Sequence, residues 1–295
     1  MHFKQTASSK LNDAVLQAAL KKSKSKFVDG RALGVAQIDN WQDIRTYAAA
    51  LRDRVIDNLD AYLIEFERNA IRRGAKVYWA ETAEEANAIV LGIAQSNGVK
   101  TITKSKSMVT EEIALNAALI GAGIRVLETD LGEYILQLAD EPPSHIVAPA
   151  VHKSKEQVAE LFMNAHHKPR LTDIAAMTRE AREELRSRFL TADMGISGAN
   201  FVVAETGTTL TVTNEGNADL VTTLPRIHCV VTGIEKVIPT LEDFATLIRL
   251  LPRSAIGQSI ANYLTLTTGF KAPDETDGPE QMHIVLVDAG RTKLV

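Results

Sequence analysis

Between Lys76 and Ala165 the chain switches repeatedly between short apolar runs and stretches of helical period, and that alternation limits the folds open to it. Lys76–Ala80, Val99–Thr103, Arg125–Glu128 and Ser144–Ala148 read as strands. Helices are expected between and after them. One opens at Thr82 as a capping box with Glu85 and ends near Gly98; the others span Thr110–Ala122, Leu131–Leu138 and Ser154–Ala165. Such alternation calls for parallel strands joined by crossover helices, so the expected class is α/β with a mainly parallel sheet.

The flanks extend this pattern. Ile44, Leu51, Val55, Leu59, Leu63, Phe66 and Ala70 recur at three- and four-residue spacing and predict one long helix over residues 41–73, stopped at Gly74. A helix is expected from Thr172 to Thr191, then a β-rich unit. In that unit Phe201–Ala204 and Thr208–Thr213 flank the turn Glu205-Thr206-Gly207, and the polar cluster Asn214–Asn217 closes it. His228–Thr232 and His283–Val287 read as strands, with a helix at Leu241–Leu251 between them. Residues 1–35 form a basic N-terminal arm, with Lys21, Lys22, Lys24 and Lys26 clustered and a short helix from Asp13. The arm either binds a partner or packs as a solvated segment. Residues 36–295 are the main domain. Pro273–Pro279 is an exposed loop, and the apolar end Leu294-Val295 reads as a chain cut from something longer.

In parallel α/β sheets ligands bind outside the carboxyl ends of the strands. After Val99–Thr103 come Lys104, Ser105 and Lys106, leading to a helix: either a phosphate or carboxylate site, or a solvated loop with Thr110 as N-cap. After Arg125–Glu128 comes Asp130, which either pairs with Glu128 as a second acid or caps the helix at Leu131. Glu205 is a carboxylate in a glycine-bounded turn, suited to act as nucleophile, base or ligand anchor, or simply a surface residue.

Several chemistries are absent from the sequence. There is no P-loop, no G-x-G-x-x-G after a strand, no G-x-S-x-G elbow and no His-Glu-x-x-His, so no metal site is expected. His166 and His167 read as an exposed helix end. Cys229, the lone cysteine, lies in an apolar run and is expected to be buried; it excludes an internal disulfide and a four-cysteine cluster. A net charge of −4 disfavours general nucleic-acid binding. No run approaches the roughly 18 apolar residues of a membrane span, and the first residues lack a signal-peptide core, which makes a cytoplasmic location the default.

Taken together, Ile196–Thr208, Thr213–Asn217, Thr222–His228 and Gly233–Asp243, with Thr103–Ile113 and Glu128–Ile135, resemble the lactate utilization protein B family over about residues 20–295. The resemblance implies a LUD domain in the superfold of sugar-phosphate isomerases and CoA transferases. It also implies a part in oxidising L-lactate to pyruvate, alongside two other subunits. In that family a ferredoxin-like region holding two [4Fe–4S] clusters follows the domain. This sequence is then the N-terminal portion: no cofactor is expected on this chain alone, and the clusters belong to the full-length parent. By loop position, Lys104, Ser105 and Lys106 would hold a small carboxylate or other anion, and Glu128 and Asp130 would line the cleft. Glu205, Gly207, Asn214, Glu215 and Asn217 would form its opposite wall. Two other readings stand beside this one: a CoA-transferase-like enzyme with Glu205 as nucleophile, and a non-catalytic scaffold, the chain in either case able to self-associate.

Overall fold

The computed structural model describes residues 3–142 and 148–294. Helices α1 (Phe3–Leu11), α2 (Ala14–Lys24) and α3 (Gly30–Ala36) open the chain. Then come α4 (Trp41–Asp57), α5 (Leu59–Arg72), β1 (Lys76–Ala80), α6 (Ala83–Ser96), β2 (Thr101–Lys104), α7 (Met108–Glu112), α8 (Leu115–Gly121) and β3 (Arg125–Glu128). Three helices follow, α9 (Leu131–Ala139), α10 (Lys155–His166) and α11 (Ile174–Thr191). The remainder runs β4 (Met194–Ser197), β5 (Phe201–Val203), β6 (Thr208–Thr213), α12 (Asn217–Thr223), β7 (Ile227–Gly233), β8 (Val237–Ile238), α13 (Leu241–Ile256), β9 (Tyr263–Thr267) and β10 (Gln281–Val287).

The chain divides into two compact units. The larger comprises Asn40–Thr129, Ser187–Leu251 and Ile260–Val295. Its main sheet has six strands in the order β1-β10-β7-β4-β2-β3, every neighbouring pair parallel. The fold is therefore α/β with a parallel central sheet, as the alternation predicted. The strand β7 is buried along its whole length, Cys229 included, because both faces of such a sheet are covered. One face packs Val230, Ile284 and Leu286 against Leu51 and Val55 of α4 and Leu63 and Phe66 of α5. The other packs Ile102, Ile196 and Val231 against Ala86 and Val90 of α6 and Leu115 and Leu119 of α8. A second sheet, β8-β5-β6-β9, contains the expected hairpin, β5 antiparallel to β6.

Several local expectations need correction. The helix over residues 41–73 is two helices, broken at Asn58, whose side-chain amide donates to the Arg54 carbonyl at 2.9 Å and competes with the backbone ladder. The helix over Thr110–Ala122 is also two, broken where Ala114 takes a left-handed φ of 52°. Its N-cap is Ser107, not Thr110. At α6 half the capping box forms: Thr82 accepts from the Glu85 amide, but the Glu85 carboxylate turns to the Glu81 amide. Residues 194–197, assigned to no element from sequence, are β4, one of the two central strands. Its Gly195 hides the strand pattern, and a Cβ there would stand 1.9 Å from the Val221 carbonyl of α12. Of the strand expected at Ser144–Ala148, residues 144–147, His145 among them, lie outside the described residues.

The smaller unit comprises Met1–Asp39, Asp130–Arg186 and Pro252–Ser259. Asp130 caps α9, accepting from the amides of Gly132 and Glu133 at 3.0 and 3.2 Å. Ser154 and Gln157 form a complete capping box at α10. His166 is not an exposed helix end: its ring is 2 % exposed, 2.6 Å from Glu180 and 2.8 Å from the Tyr134 hydroxyl.

Candidate functional site

The two connections that leave β2 and β4 run in opposite directions along the sheet: β2 leads outward to β3, and β4 leads back toward β7. Such a switch point opens a crevice at the carboxyl ends of the two strands. Lys104 is the last residue of β2 and Glu128 the last of β3, and the parallel register sets them side by side. Both side chains are buried, at 1 % and 6 % exposure, and Nζ of Lys104 lies 2.9 Å from Oε1 of Glu128. Nζ also donates to Oγ1 of Thr110 at 3.2 Å, and that hydroxyl donates to the Ser107 carbonyl. Asn116 donates to the same Glu128 oxygen at 2.6 Å. Thr129 ties the two strand ends together, its amide and hydroxyl both donating to the Lys104 carbonyl, and Asn217 donates to that hydroxyl at 3.1 Å.

Two charges out of water repay their desolvation only where geometry is tight and further hydrogen bonds are present, and here they are. Glu111 on α7 sits in the field of this pair. Burial pushes its carboxyl up to about 7; Lys104 pulls it back, Glu128 adds to the rise, and Lys106 opposes it. The group therefore exchanges a proton near neutral pH, the property expected of a general acid or base. Ser105 follows Lys104, its amide donating to the Ile196 carbonyl at 2.9 Å. Its hydroxyl is buried and has no hydrogen-bond partner among the described residues. Lys106 stands exposed.

Among the residues nominated from sequence, Lys104, Ser105, Glu128 and Asn217 meet at this strand end. Asp130 is the α9 cap of the smaller unit. Glu205 lies in the β5–β6 turn, exposed, where its carboxylate accepts from the Leu241 amide at the start of α13 at 3.2 Å. Its backbone carbonyl accepts from Asn69, and Gly207 packs on the last turn of α5 at Asn69 and Ala70. Asn214 accepts from the Asn262 amide, and Glu215 is exposed with its amide on Thr213. Thr110, Glu111, Asn116 and Thr129 were not nominated. The signal for them was the pair of charged residues closing successive strands, which implies a helix above to satisfy them.

A second buried pair lies nearby. Ser197 ends β4, its hydroxyl 2.8 Å from Nε2 of His228. Burial, and then His283, hold the His228 imidazole down to about 4, so it stays neutral.

The family model described as LUD domain matches residues 63–287. The chain belongs to the LUD-domain family. It is 45 % identical over 294 residues to a protein named lactate utilization protein B from Lysinibacillus sphaericus (strain C3-41), a match covering 99 % of this chain and 62 % of that protein. It is 47 % identical over 267 residues to the protein of the same name from Geobacillus kaustophilus (strain HTA426), covering 90 % and 56 %. This LUD domain thus spans less than two-thirds of the length of those curated relatives. A crystal structure of a DUF162 family protein from Deinococcus radiodurans aligns with a TM-score of 0.43 at 14 % identity, over 78 % of this chain and 98 % of that one.

A [4Fe–4S] cluster is ordinarily held by four cysteine thiolates. The LUD domain has Cys229 alone, its thiol pushed up to about 12 by burial, and the described residues hold no group of three or more His, Cys, Asp or Glu placed for a metal. These residues do not fit a cluster. Among the described residues no helix is long and apolar enough to cross a membrane.

Proposed function

We propose that this LUD domain serves lactate utilization by binding a small 2-hydroxy- or 2-oxocarboxylate at the carboxyl ends of β2 and β4. The observation that carries the reading is the buried Lys104–Glu128 pair with Glu111 poised near neutrality beside it. Lys106, exposed and without an ion-pair partner among the described residues, supplies the cation that meets the substrate carboxylate. Lys104 is already matched by Glu128 and holds the floor of the site. Glu111 is the base placed to take the hydroxyl proton of a bound 2-hydroxy acid; the two electrons and the remaining proton of its oxidation would pass to an electron acceptor carried by the full-length parent. The relatives named for lactate utilization support the substrate class. We place the whole protein in the cytoplasm, within a complex oxidising L-lactate to pyruvate. Its two [4Fe–4S] clusters lie in the full-length parent, which works with two other subunits.

Titrating the 295-residue chain with L-lactate and with pyruvate, followed by NMR, tests this. Saturable binding is expected, weakened about tenfold by Lys106→Ala, the loss of one charge-assisted contact. The absence of saturable binding by either acid, or binding indifferent to Lys106→Ala, would overturn the reading.

A further inference from the structure

The chain's charge is unevenly distributed. Residues 3–36 carry seven basic and two acidic side chains, in a chain whose net charge is −4. Their helices also leave large apolar side chains uncovered: Leu11 is 71 % exposed, Val15 52 % and Leu33 70 %. On α2, Val15 and Lys22 are seven residues apart and share a face, so the apolar stripe ends on a cation. Lys21 and Lys22 make no ion pair among the described residues. This arm therefore combines a lysine cluster with exposed apolar side chains on each of its three helices.

The larger unit holds a surface of the opposite kind. A groove of about 830 Å³ runs along the carboxyl end of β1, between α4 and α5. Its floor includes Ile56, Ile64 and Trp79, exposed at 44 %, 58 % and 43 %. Asp57, Asp60 and Glu81 line it as well, and none makes an ion pair among the described residues. A small-ligand site has a few polar groups converging on an apolar floor. This one is wide and apolar, and its unpaired charges are carboxylates with the single exception of Lys293, the pattern that receives a basic amphipathic helix.

We propose that the groove receives the N-terminal arm of a second copy of this chain. The arm and the groove are complementary in both respects, apolar face to apolar floor and lysines to carboxylates, and electrostatic complementarity of this kind selects the partner. Mutual exchange of arms closes the assembly at two copies and covers both exposed surfaces.

Sedimentation velocity on the full 295-residue chain tests the proposal, with circular dichroism confirming that each variant is folded. The wild type is expected to dimerise at micromolar concentration. Lys21→Glu with Lys22→Glu on the arm, or Asp57→Lys with Asp60→Lys on the groove, should each weaken the dimer about tenfold or more. All four substitutions together should restore it, because the charges are then exchanged. A monomeric wild type overturns the proposal. So does a dimer that either charge-reversed pair leaves unchanged, or one that the combined variant fails to recover.

Discussion

The end of β3 and the turn after β5 both place a glutamate among polar residues, yet the two carboxylates live in different physical worlds. Glu128 is buried against Lys104 and Asn116, where an uncompensated charge would be costly. Glu205 is exposed, and its carboxylate meets a helix N-terminus across solvent-screened space. The first is held by side chains from several elements and senses every one of them. The second is held by its own backbone, and its glycine neighbour matters more to the fold than its charge. A polar loop in this molecule becomes chemically interesting when the register buries it, and composition alone does not say which loop that is.

Removing one member of the buried pair should have the largest effect. Lys104→Met leaves Glu128 without its cation and is expected to cost about 3–5 kcal/mol in urea unfolding. Lys104→Met with Glu128→Leu should recover most of that loss, since no charge is then stranded. A single variant as stable as wild type would break the contrast from the strand-end side.

On the turn side, the sensitive residue is Gly207. It has φ of 70°, and a Cβ there would stand 2.2 Å from the Ala70 amide nitrogen. Gly207→Ala combines left-handed strain with a backbone clash and should cost about 2–4 kcal/mol. Thermal melts of the variant check it; a loss below that of Glu205→Ala would reverse the ranking drawn here.

Glu111 sharpens the comparison through pH. Its folded value of about 7 lies above its ordinary value of 4.5, so its contribution is full below 4.5 and declines as pH rises through 7. Glu111→Gln should therefore stabilise the protein at pH 8, on the order of 1 kcal/mol for a half-solvated group, and leave pH 4 nearly unchanged. His228 acts with the opposite sign. Held down to about 4, it favours the fold above its ordinary value of 6.5 and withdraws that support as pH falls toward 4. A stability profile of the variant that still falls between pH 4.5 and 7 by the wild-type amount would remove Glu111 from the account.

The smallest effect is expected at Glu205. Glu205→Ala loses one hydrogen bond at the start of α13 and should cost about 0.5–1 kcal/mol by the same urea measurement.

Much of the larger unit was legible in the sequence, because crossover strands buried on both faces leave dense apolar runs such as Ile227–Val231. What escaped had a local cause. Gly195 broke the pattern of β4 because α12 crosses it, and Asn58 and Ala114 interrupted helices whose apolar spacing continued across the break. The candidate site was half legible. Lys104 and Glu128 follow from the rule about strand ends, whereas Thr110, Glu111 and Asn116 join them only once α7 and α8 are laid over the sheet. In the local sequence Asn217 looks no different from Glu215. Only the long-range bond to Thr129 separates the first from the second.

The strand order has a consequence in time. β1 forms early in the chain but stands at the sheet's edge, and its one partner is β10, with Lys76 opposite His283. β10 must also slot between β1 and β7. While a ribosome is still making the residues between, β1 and β7 each keep an open edge, ready to pair with the wrong chain. Synthesis that stalls before residue 281 would leave that gap unfilled, so the last of these six strands to emerge is the one that makes the sheet whole.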